Sequence, residues 1–325
     1  MYQIKTLNKI DQRGLSLFSD AYNIIEDGDA DAIVLRSFKM HDYPLCSNLK
    51  AVARAGAGTN NVPVEKCAEQ GIVVFNTPGA NANGVKEAVI AGLLLASRDI
   101  VGAVEWAKTL DGEEDIPKLV EGGKSNFAGP EIKGKTIGII GLGAIGVLVA
   151  NACSSLGMKV LGYDPFISVK SAWSLSRSIS QAKTIEEVYA KADYISVHVP
   201  LMDATNGLIG EDSISQMEDG VKILNFSRAG LLDDAAMAKA LESGKVGKYV
   251  TDFPNAESIK MKNVIAIPHL GASTPESEVN CAIMAVEQIT EYLENGNIKN
   301  SVNFPNCDLG VGIAGKRIGT VSYTH

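Results

Sequence analysis

The chain has 325 residues, a length typical of about two domains, and 46% of them are hydrophobic, which excludes disorder as the main state. Thirty Lys and Arg against 38 Asp and Glu give a net charge of −8, and this negative charge disfavours binding to nucleic-acid phosphates. The five cysteines form no C-x-x-C motif or His/Cys cluster, which favours a reducing compartment and predicts no metal site. The first residues lack signal-peptide features, which predicts a cytoplasmic protein.

Short apolar runs alternate with helical segments along the chain, a pattern typical of an α/β protein with doubly wound parallel sheets. The first part has strand-like runs that indicate a small flavodoxin-like unit, at residues 3–7, 31–37, 49–56 and 72–77. Residues 84–104 are apolar at helical spacing, and the polar stretch 108–135 is expected to be a loop. We therefore place a domain boundary on that helix.

The second part has six strand-like runs, the number that a dinucleotide-binding sheet needs, at residues 135–140, 159–164, 193–200, 221–227, 245–253 and 263–269. Residues 136–158 carry no charge, but a glycine turn interrupts them, so we expect no membrane span. The segment 274–295 is predicted to be a long amphipathic helix, with Thr274 or Ser273 as its N-cap, that returns the chain to the first domain.

These patterns predict two domains and a tail. A discontinuous substrate domain comprises residues 1–95 and 283–303, a dinucleotide-binding (Rossmann) domain comprises residues 96–282, and residues 304–325 form the tail.

A glycine motif marks the start of the second domain. Gly141, Gly143 and Gly146 form G-x-G-x-x-G directly after a strand and at the start of a helix, where glycines allow a tight turn and close approach of a pyrophosphate. Asp164 ends the next strand, where an acid bonds the ribose hydroxyls or, alternatively, is only a turn residue before Pro165. The combination predicts an NAD site, because a carboxylate there repels the 2′-phosphate of NADP.

Hydride transfer to a carbonyl also needs a proton donor and a cation that holds the substrate. His269 follows an apolar run and precedes a turn of small residues, at the strand end where open α/β sheets bind ligands. Arg228 also follows an apolar strand, and it either caps a surface loop or holds a carboxylate in a bidentate contact. Glu257 taken alone is a solvated acid, and His198 is expected to have a packing or cofactor-edge role.

Several separated motifs, taken in order, resemble the D-isomer-specific 2-hydroxyacid dehydrogenase family. They are RAGAGTNNV at 54–62, NTPG at 76–79, GLGAIG at 141–146 with Asp164, HVPL at 198–201, NFSRAG at 225–230, Asp252 and PHLGAST at 268–274. The resemblance runs over nearly the whole chain. It implies NAD as cofactor, reversible conversion of a D-2-hydroxyacid to its 2-oxoacid, and a homo-oligomer such as a dimer.

The resemblance also implies site residues. The arginine that holds the substrate falls on Arg228, the proton-donating histidine on His269, and the glutamate that orients this histidine on Glu257, with Asp252 as the fallback partner. The family usually has Glu-Pro where this chain has Glu257-Ser258, and a longer loop from that glutamate to the histidine. The implied cofactor contacts are Thr77, Gly141, Gly143, Ala144, Ile145, Gly146, Asp164, Val199, Pro200, Thr205, Phe226, Ser227, Arg228, Asp252, His269 and Gly271.

The motifs look most like those of family members that convert 3-phosphoglycerate to 3-phosphohydroxypyruvate, the first step of L-serine synthesis. Arg54, which follows an apolar run, is the candidate for binding the substrate phosphate, beside Arg228 for the carboxylate. Reduction of glyoxylate or hydroxypyruvate is the alternative within the family, and a NAD-sensing, corepressor-like binding protein is the alternative outside enzymes. The tail from Asn303 resembles the linker and first strand of an ACT regulatory domain. No nucleic acid, membrane or metal is expected as a partner.

Overall fold

Two parallel sheets form the framework of the protein in a computed structural model that describes residues 1–311. The first sheet has the order β2-β1-β3-β4-β5, with β1 Tyr2–Thr6, β2 Tyr22–Ile25, β3 Ala32–Leu35, β4 Ala51–Arg54 and β5 Val73–Phe75. The second has the order β12-β11-β10-β9-β6-β7-β8, with β6 Thr136–Ile140, β7 Lys159–Tyr163, β8 Ser180–Gln181, β9 Tyr194–Val197, β10 Val221–Asn225, β11 Val246–Thr251 and β12 Val264–Ala266. The predicted α/β class with parallel sheets is confirmed.

Helices lie between most consecutive strands along the sequence, as is usual for parallel crossovers. They are α1 Gln12–Leu15, α2 Val64–Glu69, α3 Ala82–Ser97, α4 Ile100–Lys108, α5 Ile116–Gly123, α6 Ala144–Ser155, α7 Val169–Trp173, α8 Ile185–Lys191, α9 Glu211–Ser215, α10 Asp234–Ser243 and α11 Pro275–Asn295, with 3-10 turns at Lys124–Phe127 and Ser258–Lys260. The helix predicted over 84–104 is two helices, and the loop predicted over 108–135 contains α5. Among residues 1–311, no helix is long and apolar enough to span a bilayer.

The chain divides into two compact units, one made of Met1–Asn81 with the chain from Ser273 onward, the other of Ala82–Ala272. This division differs from the predicted boundaries at 95/96 and 282/283. Helix α3 belongs entirely to the second unit, because Val85, Val89 and Leu93 pack into the core of the second sheet. Helix α11 belongs entirely to the first unit, where its apolar face covers the first sheet. Residues 312–325 of the predicted ACT-like tail lie outside the described residues.

Helix α11 begins and ends as its sequence predicts. The Thr274 side chain accepts a hydrogen bond from the Ser277 amide, Pro275 occupies the first turn, and Gly296 ends the helix in the left-handed conformation. In the core of the first unit, α11 contributes Ala282, Ala285, Val286 and Ile289.

The register of the second sheet aligns the carboxyl ends of its strands. Ile140 of β6 pairs with both Tyr163 of β7 and Val197 of β9. On the other side, Asn225 of β10 pairs with Val197 and with Thr251 of β11. Because these strands end at one level, the loops that follow them meet at one edge, where open α/β sheets bind ligands.

Candidate active site

The glycine loop after β6 is shaped by very close backbone approaches. Gly141 has φ +93°, and a Cβ added there would lie 2.6 Å from the His198 carbonyl oxygen. A Cβ on Gly146 would lie 1.9 Å from the Gly141 oxygen. Both positions therefore require glycine.

Gly143, the middle glycine, has a different reason to lack a side chain. A Cβ there would meet no atom within 4 Å, and Gly143 is the N-cap of α6 with no side-chain hydrogen bond to the helix. The start of α6 thus presents an uncapped, positively polarised helix end beside open space. That arrangement suits the pyrophosphate of a dinucleotide.

Asp164 ties the end of β7 to the glycine loop. One carboxylate oxygen accepts from the Leu142 amide at 2.8 Å, and the other accepts from the Phe166 amide at 2.8 Å. Each oxygen retains acceptor capacity for ribose hydroxyls. The half-buried carboxylate therefore fits the predicted ribose contact.

His198 follows β9 and packs behind the glycine loop. Its Nε2 lies 2.8 Å from Ser196 Oγ, while Nδ1 is buried without a hydrogen-bond partner among the described residues. Burial lowers the pKa of His198 to about 4, so the ring is neutral near pH 7. A neutral, enclosed ring is suited to packing rather than to proton donation, as the sequence predicts.

Val199, Pro200 and Thr205 lie beyond His198, in the loop that follows β9. Val199 Cγ1 would lie 2.9 Å from a Cβ on Gly141, which places it beside the first glycine. Thr205 Oγ1 donates to the Pro200 carbonyl at 2.6 Å and accepts from the Met202 amide at 2.9 Å. The loop is therefore closed by its own hydrogen bonds next to the glycine motif.

Buried polar side chains hold the turn that carries Arg228. Asn225 donates to the Arg228 carbonyl at 2.9 Å and accepts from the Ser227 amide at 3.1 Å. Ser227 Oγ donates to the Val197 carbonyl at 2.7 Å, which joins the turn to the neighbouring strand. Arg228 itself is exposed and donates to the Ser227 carbonyl at 2.6 Å. Within residues 1–311 no carboxylate forms an ion pair with it, so its guanidinium is available to an anionic ligand.

His269 follows β12 in an unusual backbone conformation. Its φ of +54° lies in the left-handed region, which is strained for a residue with a side chain and is common at functional sites. The side chain is exposed, and its ring centroid lies 4.7 Å from that of Phe253 with an interplanar angle of 50°.

Asp252 fixes the loop that follows His269. It is 1% exposed, and its two oxygens accept from the Leu270 amide at 2.7 Å and the Gly271 amide at 2.9 Å. Burial raises the pKa of this carboxyl, whereas the two amides and nearby His269 favour its charged form. A Cβ on Gly271 would lie 2.9 Å from the carboxylate, so the loop fits closely around Asp252.

The Glu257 carboxylate pairs with a lysine of its own turn. Glu257 lies at the start of the 3-10 turn, its side chain is 68% exposed, and its carboxylate pairs with Lys260 at 3.4 Å. The amide of Glu257 is held by Asn255 Oδ1 at 3.0 Å. The orienting contact of Glu257 to His269 therefore stays a prediction.

The remaining two predicted residues belong to the first unit. Arg54 ends β4 and donates from Nε to the Arg36 carbonyl at 3.0 Å. Thr77 follows β5 and is fully buried, with its amide donating to the Gly56 carbonyl at 3.1 Å. Both lie at carboxyl ends of strands in the first sheet.

Sequence analysis missed two side chains that organise the site. Asn225 holds both sides of the Arg228 turn, and Phe253 contacts His269. A buried asparagine at the end of an apolar strand was a usable signal, because such a side chain needs hydrogen-bond partners. Phe253 gave no signal, since an aromatic residue after a strand resembles any core residue. In the described part of the chain, no group of three or more His, Cys, Asp or Glu is arranged to hold a metal ion.

Comparison with known proteins identifies relatives of this chain. The family model described as D-isomer specific 2-hydroxyacid dehydrogenase, NAD binding domain, matches residues 91–271. A D-3-phosphoglycerate dehydrogenase of Archaeoglobus fulgidus is 36% identical over 288 residues, which are 86% of this chain and 52% of that protein. One from Methanocaldococcus jannaschii is 36% identical over 287 residues, with the same two coverages. The chain thus spans about half the length of the curated relatives it matches.

A solved structure is similar over most of the chain. The NAD+-bound 3-phosphoglycerate dehydrogenase of Entamoeba histolytica has a TM-score of 0.71 and 27% identity, covering 93% of this chain and 99% of that one.

Proposed function

The chain belongs to the D-isomer specific 2-hydroxyacid dehydrogenase family, with residues 91–271 as its NAD-binding domain, and on that premise we propose that it is an NAD-dependent dehydrogenase. The proposed reaction converts a D-2-hydroxyacid and NAD+ to the 2-oxoacid, NADH and a proton. The observation that carries the proposal is Arg228, an exposed guanidinium on a rigid turn at the sheet edge that also carries the glycine loop.

The cofactor site is proposed at the carboxyl edge of the second sheet. The start of α6 at Gly143 receives the pyrophosphate, and Asp164 accepts hydrogen bonds from the ribose hydroxyls. The turn at residues 226–228 and the loop at residues 199–205 line the same edge. When bound, the nicotinamide ring supplies or accepts the hydride.

Two side chains are proposed to act on the substrate. Arg228 binds the carboxylate in a bidentate contact and polarises the adjacent carbonyl oxygen. During reduction, the His269 imidazolium donates its proton to that oxygen as the hydride reaches the carbon, and in the reverse direction the neutral ring accepts the proton. Glu257 stays the predicted orienting partner.

We propose 3-phosphoglycerate and 3-phosphohydroxypyruvate as the substrate pair, and hence a role in the first step of L-serine synthesis. Support comes from the relatives named D-3-phosphoglycerate dehydrogenase, which are 36% identical to this chain. Arg54 is proposed to bind the substrate phosphate, and Thr77 to contact the cofactor.

The test is reduction of a panel of 2-oxoacids by NADH, namely 3-phosphohydroxypyruvate, hydroxypyruvate and glyoxylate. We expect the phosphorylated substrate to have the highest kcat/KM; preference for either unphosphorylated one would favour the reductase alternative. NADH binding without reduction of any 2-oxoacid would favour a NAD-sensing protein instead.

Replacing Arg228 tests the observation on which the proposal rests. Arg228→Lys keeps the charge but not the bidentate geometry, so we expect kcat/KM to fall at least about tenfold with NADH affinity retained. Arg177→Lys, at an exposed arginine of the same unit, is the matched control. Equal activity of the two variants would show that Arg228 is only structural.

We further propose that the protein is a cytoplasmic homodimer. Helices α4 and α5 bury no residue and expose Ile100, Val101, Val104, Ile116 and Leu119, a pattern that favours self-association. Sedimentation velocity tests the dimer, and a monomer at micromolar concentration would contradict it.

A further inference from the structure

Two residues that follow β11, Asp252 and Phe253, contact the segment that carries His269. The two Asp252 oxygens bind the amides of Leu270 and Gly271, directly after His269. Because these hydrogen bonds fix the chain just beyond a residue with φ +54°, they hold His269 in a conformation that an L residue rarely adopts. Asp252 therefore acts on the backbone of His269.

Phe253 contacts the ring of His269 directly. The centroids are 4.7 Å apart and the rings are tilted by 50°, a geometry in the favourable range for aromatic pairs. The backbone of Phe253 is itself held, because its amide donates to Thr251 Oγ1 at 3.0 Å and Thr251 is fully buried. The Phe253 ring against one side of the exposed imidazole limits the rotamers that the imidazole adopts.

Glu257 is placed differently. Its carboxylate is exposed and pairs with Lys260 three residues later in the same turn. The sequence departs from the family at this point, since serine follows Glu257 and the loop to the histidine is shorter. The ring of Phe253, after β11, contacts the His269 ring, whereas the Glu257 carboxylate pairs with Lys260.

We propose that Phe253 is a positioning residue for His269, holding the imidazole by ring contact while Asp252 holds the backbone. The inference rests on the proposed function, in which His269 exchanges the proton with the substrate oxygen. Phe253 touches neither that oxygen nor the proton; it raises the fraction of molecules whose imidazole points in one direction.

The test compares Phe253→Leu with Phe127→Leu in the full chain. Phe127 forms a similar ring contact, 5.3 Å from Trp106, in the same unit. We expect Phe253→Leu to lower kcat about two- to tenfold, the range expected from loss of one aromatic pair, with the Kd for NADH unchanged. Phe253→Tyr retains the ring and is expected to restore kcat to within about twofold of the wild type.

A second measurement does not depend on activity. His269 is one of four histidines, so its ring Cε1 proton is assignable by NMR from the spectrum of His269→Ala. In Phe253→Leu this resonance is expected to shift as the ring current is lost, whereas in Phe127→Leu it is expected to stay in place.

The outcomes separate this inference from the proposed function. If His269→Ala abolishes turnover but Phe253→Leu behaves like Phe127→Leu in kcat and NMR shift, the positioning role is wrong while the proposed function stands. If the wild type reduces no 2-oxoacid, the proposed function fails, and the NMR comparison still decides whether Phe253 orients His269.

Discussion

The two halves of the edge of the second sheet are built in opposite ways. At the glycine loop, the geometry depends on missing side chains: Cβ atoms at Gly141 and Gly146 would collide with backbone oxygens. At the histidine loop, it depends on side chains that are present, because Asp252 holds the backbone and Phe253 contacts the ring. A site formed by backbone suits a charged group common to many ligands, whereas a site formed by side chains determines the position of one reacting atom.

Removing the His269 imidazole has the largest expected effect on the histidine half. His269→Ala is expected to lower turnover by roughly 10²–10⁴-fold, the usual share of general acid–base catalysis, with NADH affinity retained. His41→Ala, at an exposed histidine of the first unit, is the control. If His269→Ala kept wild-type turnover, His269 would not be the proton donor.

His198, which packs behind the glycine loop, is expected to affect stability rather than turnover. The folded-state pKa of His198 is about 4, below its ordinary value of 6.5, so the unfolded chain takes up this proton first as pH falls. The neutral ring thus contributes stability above pH 6.5 that is lost between pH 6.5 and 4, up to roughly 3 kcal/mol.

Urea unfolding at pH 7 and pH 4.5 measures this loss. His198→Gln removes the titrating group, and the variant is expected to lose less stability than the wild type over the same interval. Parallel pH dependence in the two proteins would mean that His198 is protonated in the folded state.

The smallest expected effect concerns cofactor choice at Asp164. We expect the wild type to prefer NADH to NADPH, and Asp164→Asn to narrow that preference by about tenfold, because the charge facing a 2′-phosphate is removed while an acceptor for the Leu142 amide remains. Asp203→Asn, at an exposed acid of the same unit, is the control. The measurement is the ratio of kcat/KM for the two cofactors. An equal ratio in the two variants would show that Asp164 does not face the ribose of the cofactor.

The two halves also differ in how far the sequence predicted them. The glycine loop was predictable because its determinants lie within six residues and follow an apolar strand. The contact between Phe253 and His269 joins residues sixteen positions apart that follow different strands, and no sequence periodicity predicts such a contact. For the same reason, only the resemblance assigned Glu257 to His269, and in the structure the Glu257 carboxylate pairs with Lys260.

Sequence patterns also missed two of the four strands at sheet edges. Strand β2 exposes Asn23 and Ile24, and β8 consists of Ser180 and Gln181, so neither has the buried apolar run that predicts a strand. Asp99 is the N-cap of α4, where the helix predicted over 84–104 is divided. The strands inside the sheets were all predicted, and several of them, such as β3 and β9, are buried along their whole length.

The first unit is composed of two stretches separated by roughly 190 residues of the second. During synthesis, the face of the first sheet that receives Ala282, Ala285 and Ile289 stays uncovered until α11 leaves the ribosome. At the usual ~5–20 residues per second, that delay is roughly 10–40 s. The second unit is continuous and completes its own sheet within that interval, so the nascent chain presents a finished second domain and an unfinished first one. Chaperones that bind exposed apolar strands therefore have a defined period in which to act on this chain.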